Sequence, residues 1–281
     1  MITLFTSCKP FVGEDKIAQR NAIKSWSLLR PKPEIIIVGD DPGVKEVAEE
    51  FGLVYVSEVR RYNGRNPYVD DVFKKATQFA SNDLLCYINS DIILMSDFMS
   101  AVSEASTVKK KLLLVGKRHD LAVEHELDFD PGWEEQLTAR VVNEGRLYPL
   151  AGIDYFVFRK GSYDDLPPYI LGNVRWDNWM VYSARCKRMM VIDATDSVRV
   201  VHQDHELKHA QESDEGGIST DEGAVYNFNL YGKDSPVFYH ADATHKITKG
   251  GLKRRFEKAF IARSLMTFPI LLKNKTKVSG S

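Results

Sequence analysis

Asn89 and Asp91 stand two residues apart where the apolar run Leu84-Leu85-Cys86-Tyr87-Ile88 ends, and hydrophobic residues resume at Ile92. In an extended segment that spacing sends both side chains to one face. Hard oxygen donors so arranged can hold a divalent cation, which can in turn bind a diphosphate. Asn89-Ser90-Asp91 also suits a strand-ending Asx turn, in which the three residues only cap main-chain groups. A second group, Trp176-Asp177-Asn178-Trp179, opens a helix after a Gly- and Pro-rich loop. Asp177 is there either an N-cap between core tryptophans or a carboxylate whose pKa those rings raise by desolvation. His202, His205 and His209 are spaced three and four apart and would line one face of a helix. A closed zinc site wants four ligands, and no cysteine is near them in sequence. Lys9, Arg65 (in the turn Asn63-Gly64-Arg65-Asn66-Pro67) and Arg118 supply cations for an anionic group. Arg60 and Arg61 read as solvated surface.

These residues need elements to carry them. Ile2–Thr6, Ile35–Val38, Leu53–Val56, Leu84–Ile88 and Leu112–Val115 read as buried strands. Between them Glu14–Arg30, a short stretch from Val44 to Phe51, Val69–Ala80 and Ser96–Ala105 carry apolar residues at helical spacing, and Pro31 stops the first. Strands alternating with helices predict right-handed crossovers and a mainly parallel α/β sheet with helices on both faces. Such sheets bind ligands beyond the carboxyl ends of their strands. Those ends carry Ser7-Cys8-Lys9, Gly39-Asp40-Asp41 and Asn89-Ser90-Asp91. After residue 117 the rhythm changes: 117–150 has no clean period, Ile153–Phe158, Met189–Ile192 and Ser197–Val201 read as further strands, and 202–224 as loop.

The chain has 281 residues, of which 43% are hydrophobic and 27% charged, with a net charge of −1. That composition excludes a disordered chain and gives no global steering toward nucleic acid. No apolar run approaches the roughly 20 residues of a bilayer span. The N-terminal residues lack a secretory pattern, and Cys8, Cys86 and Cys186 lie far apart without a Cys-x-x-Cys pair, so a cytoplasmic location is expected.

From Ile2 to Leu94 the chain resembles the nucleotide-binding half of GT-A glycosyltransferases, which use nucleotide-diphospho-sugars. Further on it is similar to a little-characterised group with Trp-Asp-Asn-Trp and His-Gln-x-His segments, matched by Trp176–Trp179 and His202–His205. The resemblance implies a GT-A fold, Mn²⁺ or Mg²⁺ as cofactor, and a nucleoside-diphosphate sugar such as a UDP-sugar as donor. Asn89-Ser90-Asp91 takes the place of the family's Asp-x-Asp motif, which makes Asp91 the stronger metal ligand and Asn89 the weaker. His202, or as second choice His205, completes the coordination. Asp40, Asp41, Asn89, Ser90 and Asp91 are the donor-binding residues the resemblance implies, and Ser7, Lys9, Arg65 and Arg118 join them by their place at strand ends and in the turn. Asp177 takes the place of the general base of inverting enzymes, and Trp176 and Trp179 would stack on the acceptor.

One catalytic domain is expected over residues 1–250, with a nucleotide-sugar half (1–116) and an acceptor half (117–250). Residues 251–281 form a basic amphipathic segment, suited either to peripheral contact with an anionic membrane surface or to docking on the core with a solvated basic face. A glycan or lipid-linked glycan is the expected acceptor, as in polysaccharide biosynthesis. Beside a metal hydrolase, which would need His202, His205 and His209 to converge, two other readings remain. One is a non-catalytic carbohydrate- or nucleotide-binding protein on a degenerate transferase fold. The other is a sugar-nucleotide nucleotidyltransferase, although Thr6–Phe11 lacks the Gly-rich loop such enzymes carry after the first strand.

Overall fold

The computed structural model describes residues 1–149, 151–203, 222–232 and 235–273. The first half holds β1 (Ile2–Thr6), α1 (Gly13–Leu28), β2 (Glu34–Val38), α2 (Val44–Phe51), β3 (Val54–Val56), α3 (Val69–Phe79) and β4 (Leu84–Ile88). The middle adds β5 (Ile92–Ile93), α4 (Ser96–Ser106), β6 (Leu112–Val115), β7 (Arg118–Leu121), α5 (Trp133–Glu144), β8 (Arg146–Leu147) and β9 (Tyr155–Arg159). There follow α6 (Trp176–Cys186), β10 (Met190–Asp193), β11 (Val200–Gln203), α7 (Glu222–Tyr231), β12 (His245–Thr248), β13 (Gly251–Arg254) and α8 (Lys258–Lys273).

Nine strands form the main sheet in the order β13-β12-β10-β6-β9-β4-β1-β2-β3. Its pairs are parallel except where β9 inserts antiparallel between β4 and β6, and where β13 returns along β12. The strands are apolar on both faces because both are covered. Alternate residues divide between two cores. Leu4, Ile35, Ile37, Cys86 and Leu114 pack under α1, α2 and α4. Phe5, Ile36, Val38, Tyr87 and Leu113 pack under α3 and α6. A smaller sheet, β5-β11-β7-β8, encloses a third core around Ile93, Leu121, Leu137 and Val201.

Three stretches depart from the sequence reading. The unpatterned 117–150 region contains β7, α5 and β8. It escapes periodicity because α5 buries only Leu137 and Val141. The end of the stretch read as loop, from Glu222, already belongs to the helix Glu222–Tyr231, held by buried Asn227, whose amide spans the main chain of Ile170 and Val174. The basic C-terminal segment begins with an edge strand of the main sheet, β13, before its helix starts.

Candidate functional site

The loops that leave β1, β2 and β4 and the segment that enters β9 surround a cleft of about 590 Å³, closed on its far side by the start of α6. Ser7, Lys9, Asp41, Arg65, Asn89, Ser90, Asp91 and Arg118 line it, as do Trp176 and Asp177. Residues far apart in sequence therefore meet at the carboxyl ends of parallel strands. The walls are close: Gly39 follows β2 at φ +127°, and a Cβ there would meet Ser7 Oγ at 3.3 Å.

The smaller sheet builds the row behind Asp91. Its register sets His202 beside Ile92 on one side and Asp120 on the other. His202 Nε2 consequently lies 3.5 Å from Asp91 Oδ2, and Nδ1 lies 3.2 Å from Asp120 Oδ1. Burial alone would lower the pKa of His202, but the two carboxylates outweigh it and push the value up to about 10. Burial would likewise raise Asp91; His202, Lys9 and Arg118 hold it below the ordinary carboxylate value. Gln203, next along β11, is fully buried and fixes the turn: its amide donates to the carbonyls of Ala18 (2.7 Å) and Asp91 (2.9 Å). His205 lies outside the described residues.

Asp91 Oδ1 is buried and has no hydrogen-bond partner among the described residues. That orphaned oxygen, with an imidazole at its side and a carboxylate orienting the ring, fits a hard divalent cation. Among the described residues no three His, Cys, Asp or Glu side chains converge to hold a metal alone. A cation seated here would therefore take further donors from a bound anion or water, as Mg²⁺ and Mn²⁺ do with substrate phosphates.

Asn89 faces elsewhere. The antiparallel register of β4 and β9, which pairs Ile88 with Tyr155, brings Asp154 opposite Asn89. The Asn89 main-chain N–H donates to the Asp154 carbonyl (2.9 Å), and Nδ2 donates to Asp154 Oδ1 (2.8 Å). Arg118 Nη1 donates to the same oxygen at 2.8 Å while Nε reaches Asp120 Oδ1 at 2.8 Å, with Tyr148 stacked on the guanidinium at 4.2 Å. Asp154 Oδ2 is buried without a partner among the described residues, and Asp154 lines the cleft. A carboxylate thus stands beside the motif position that Asn89 fills, and sequence reading missed it. Burial raises the Asp154 pKa.

Asp177 is half-buried in the first turn of α6. Burial lifts its pKa to about 6, against the main-chain N–H of Asn178 and with the charge of Asp154 adding to the rise. Asn178 locks this helix start by donating to the carbonyls of Ala151 (3.3 Å) and Phe238 (3.0 Å). The tryptophans divide. Trp176 borders the cleft, but its ring is 6% exposed and packs on Tyr87 and Phe156. Trp179 does not line the cleft and packs toward Tyr163 and Tyr169, so the stacking expected of it is corrected. The i, i+3 spacing keeps both on the helix face that covers the sheet.

Asp40 is also corrected: its side chain is 64% exposed and lies off the cleft. Arg61, read as surface, is 16% exposed and binds both Asp40 and Asp41 at 2.7 Å from the cleft wall. Its Nη1 also donates to the Arg65 carbonyl at 2.6 Å, which shapes the turn on which Arg65 stands exposed. An acidic pair two residues from a strand end was the available signal for a buried arginine partner.

No family model matches the chain, and no curated protein matches it. Solved structures do. Staphylococcus aureus TarS 1–349 in complex with UDP-GlcNAc superposes with a TM-score of 0.54 at 12% identity, covering 100% of this chain and 76% of that one. Mannosyltransferase PcManGT from Pyrobaculum calidifontis, in complex with GDP-Man and Mn²⁺, gives 0.50 at 12% identity with the same coverage. Against a further TarS 1–349 structure the match spans 60% of that chain, and against a longer TarS chain 38%. The shared architecture is the GT-A fold, with its mainly parallel sheet flanked by helices.

Proposed function

We propose that this chain is a metal-dependent glycosyltransferase, moving a sugar from a nucleoside diphosphate to a hydroxyl acceptor with inversion. The acceptor is a glycan or lipid-linked glycan. One observation carries the reading: Asp91, with a buried oxygen unpartnered among the described residues, and Asp177, with a raised pKa, open into one cleft at the strand ends. TarS in complex with UDP-GlcNAc and PcManGT in complex with GDP-Man and Mn²⁺ share the fold, which supports this donor class and a divalent ion.

In this reading Asp91 and His202 would hold Mn²⁺ or Mg²⁺, which when bound would supply positive charge against the diphosphate leaving group. Arg65, Lys9, Ser7 and Asp41 all line the cleft; in this reading the two cations would meet the phosphates, and Ser7 and Asp41 the nucleoside. Arg118 is held by Asp120 and Asp154, so it orients the carboxylates and brings little free charge to the diphosphate. Asp177 accepts the acceptor hydroxyl proton as that oxygen attacks the anomeric carbon; at neutral pH it is ionised, and its raised pKa makes it the stronger base.

Differential scanning fluorimetry against UDP, GDP, ADP and CDP, each with and without Mn²⁺, tests donor binding. Release of nucleoside diphosphate from the matched sugar nucleotide tests transfer. If no nucleotide stabilises the protein in the presence of Mn²⁺, the reading fails. A second reading, a non-catalytic nucleotide- or carbohydrate-binding protein, draws on the Asn89 amide, which is spent on Asp154. It requires nucleotide binding without release of nucleotide from any donor.

A further inference from the structure

We propose that the outer face of α8 docks on an anionic membrane surface. Ile261, Leu265, Phe268 and Leu272 recur at i, i+4, i+7 and i+11, one face of a helix. All four are exposed, Leu265 by 71% and Phe268 by 58%, and Met266 beside them by 76%. The opposite face is anchored. Arg263 binds Asp242 at 2.7 and 2.8 Å, Thr267 is buried, and Leu271 packs against the core beneath α6. The helix is therefore seated on the protein while its larger apolar side chains point outward. Singly exposed apolar residues are ordinary, but a contiguous stripe marks a contact surface.

Charge decides the occupant. Lys253, Arg254 and Lys258 are exposed at the start of the stripe, and the Arg254 guanidinium lies over the ring of exposed Phe256 at 5.5 Å. From Lys258 onward the sequence has no Asp or Glu and, apart from Arg263, which Asp242 already binds, four lysines (Lys258, Lys273, Lys275 and Lys277). A second copy of the chain set symmetrically on this face would bring that cationic rim against itself. An anionic lipid surface instead accepts the apolar stripe among its acyl chains and the lysines at its headgroups. Among the described residues no helix is long and apolar enough to cross a membrane, so the contact is peripheral. The inference does not rest on the reading of the cleft.

Co-sedimentation of the full chain with phosphatidylcholine vesicles, with and without phosphatidylglycerol, tests it. Binding is expected to the anionic vesicles and to fall as salt rises. The double variant L265S/F268S should bind at least about tenfold more weakly while keeping the parent melting temperature, since both side chains are exposed. Three results would overturn the proposal: no binding to anionic vesicles at low salt, equal binding by the double variant, or a dimer in sedimentation velocity that the double variant dissolves.

Discussion

His202 Nε2 lies 3.5 Å from Asp91 Oδ2, a contact made by the antiparallel pairing of β5 with β11. The imidazole is turned toward Asp91 by Asp120 on its other nitrogen, the arrangement by which proteins orient a metal-ligating histidine. Asp91→Ala and His202→Ala should each abolish the Mn²⁺-dependent part of nucleotide stabilisation. For a matched nucleotide at 100-fold over Kd the parent gains about 2.7 kcal/mol. Chelation by EDTA should give the same loss in the parent and no further change in either variant. Scanning fluorimetry with and without metal reads all three, and an undiminished Mn²⁺ effect in Asp91→Ala would remove Asp91 from the site.

Asp177 carries a prediction on rate. As general base it must be ionised, so kcat/KM should rise with pH through about 6 and level off above. Asp177→Asn should lower kcat by about 10²–10⁴ while leaving donor binding intact. Turnover by the asparagine variant within tenfold of the parent would end the assignment.

The same carboxylate predicts a gain in stability. Its pKa in the folded chain, about 6, stands above the ordinary 3.8, so the folded state binds the proton more tightly than the unfolded state. That contribution is present in full below the unfolded value and is lost as pH rises through the folded one. A neutral asparagine has no such loss. Asp177→Asn should therefore be more stable than the parent at pH 8, by at most about 3 kcal/mol, and equal to it near pH 3. Urea midpoints at the two pH values measure the difference.

Sequence alone carried much of this arrangement. Buried strands and polar strand ends follow from composition and periodicity, and they placed Ser7, Lys9, Asp41 and Asp91 at one rim. Asp154 was not legible, because it falls inside the apolar run Ile153–Phe158, which reads as a buried strand and gives no sign of a carboxylate at a strand end. Its position depends on β9 entering antiparallel between β4 and β6, a tertiary choice that local periodicity does not encode. Asn178 and Gln203 show a related limit. Each sits inside a motif beside a chemically active residue, yet its amide locks the main chain. Residue type alone does not separate the two roles.

Asp154 leads to a prediction on folding. It is buried and accepts from both Asn89 and Arg118. Asp154→Ala would leave a largely buried guanidinium with Asp120 as its remaining partner, and breaking such a pair costs about 3–5 kcal/mol. Because Arg118 keeps that second carboxylate, the lower end is expected. Asp154→Asn retains an oxygen acceptor and should lose less than the alanine variant. Equilibrium urea unfolding of the two variants gives the comparison, and equal losses would show that the interaction with Arg118 does not depend on the acceptor.

Arg61 and Arg65 share one turn but should behave oppositely. The Arg61 guanidinium is committed to Asp40, Asp41 and the Arg65 carbonyl, so Arg61→Ala releases two carboxylates and unpins the turn. Its effect should appear in stability as well as in nucleotide affinity. Arg65 is exposed at the cleft rim and forms no ion pair among the described residues. Arg65→Ala should change stability by less than about 0.5 kcal/mol, as surface substitutions do. A guanidinium reaching phosphate makes a charge-assisted hydrogen bond, and such bonds are worth about 1.5–3 kcal/mol. Nucleoside diphosphate affinity of Arg65→Ala should therefore fall by roughly 10- to 100-fold, with the nucleoside itself bound as in the parent. Isothermal titration with the diphosphate and with the nucleoside separates the contributions. Equal losses for both ligands would place Arg65 on the nucleoside and not on the phosphates.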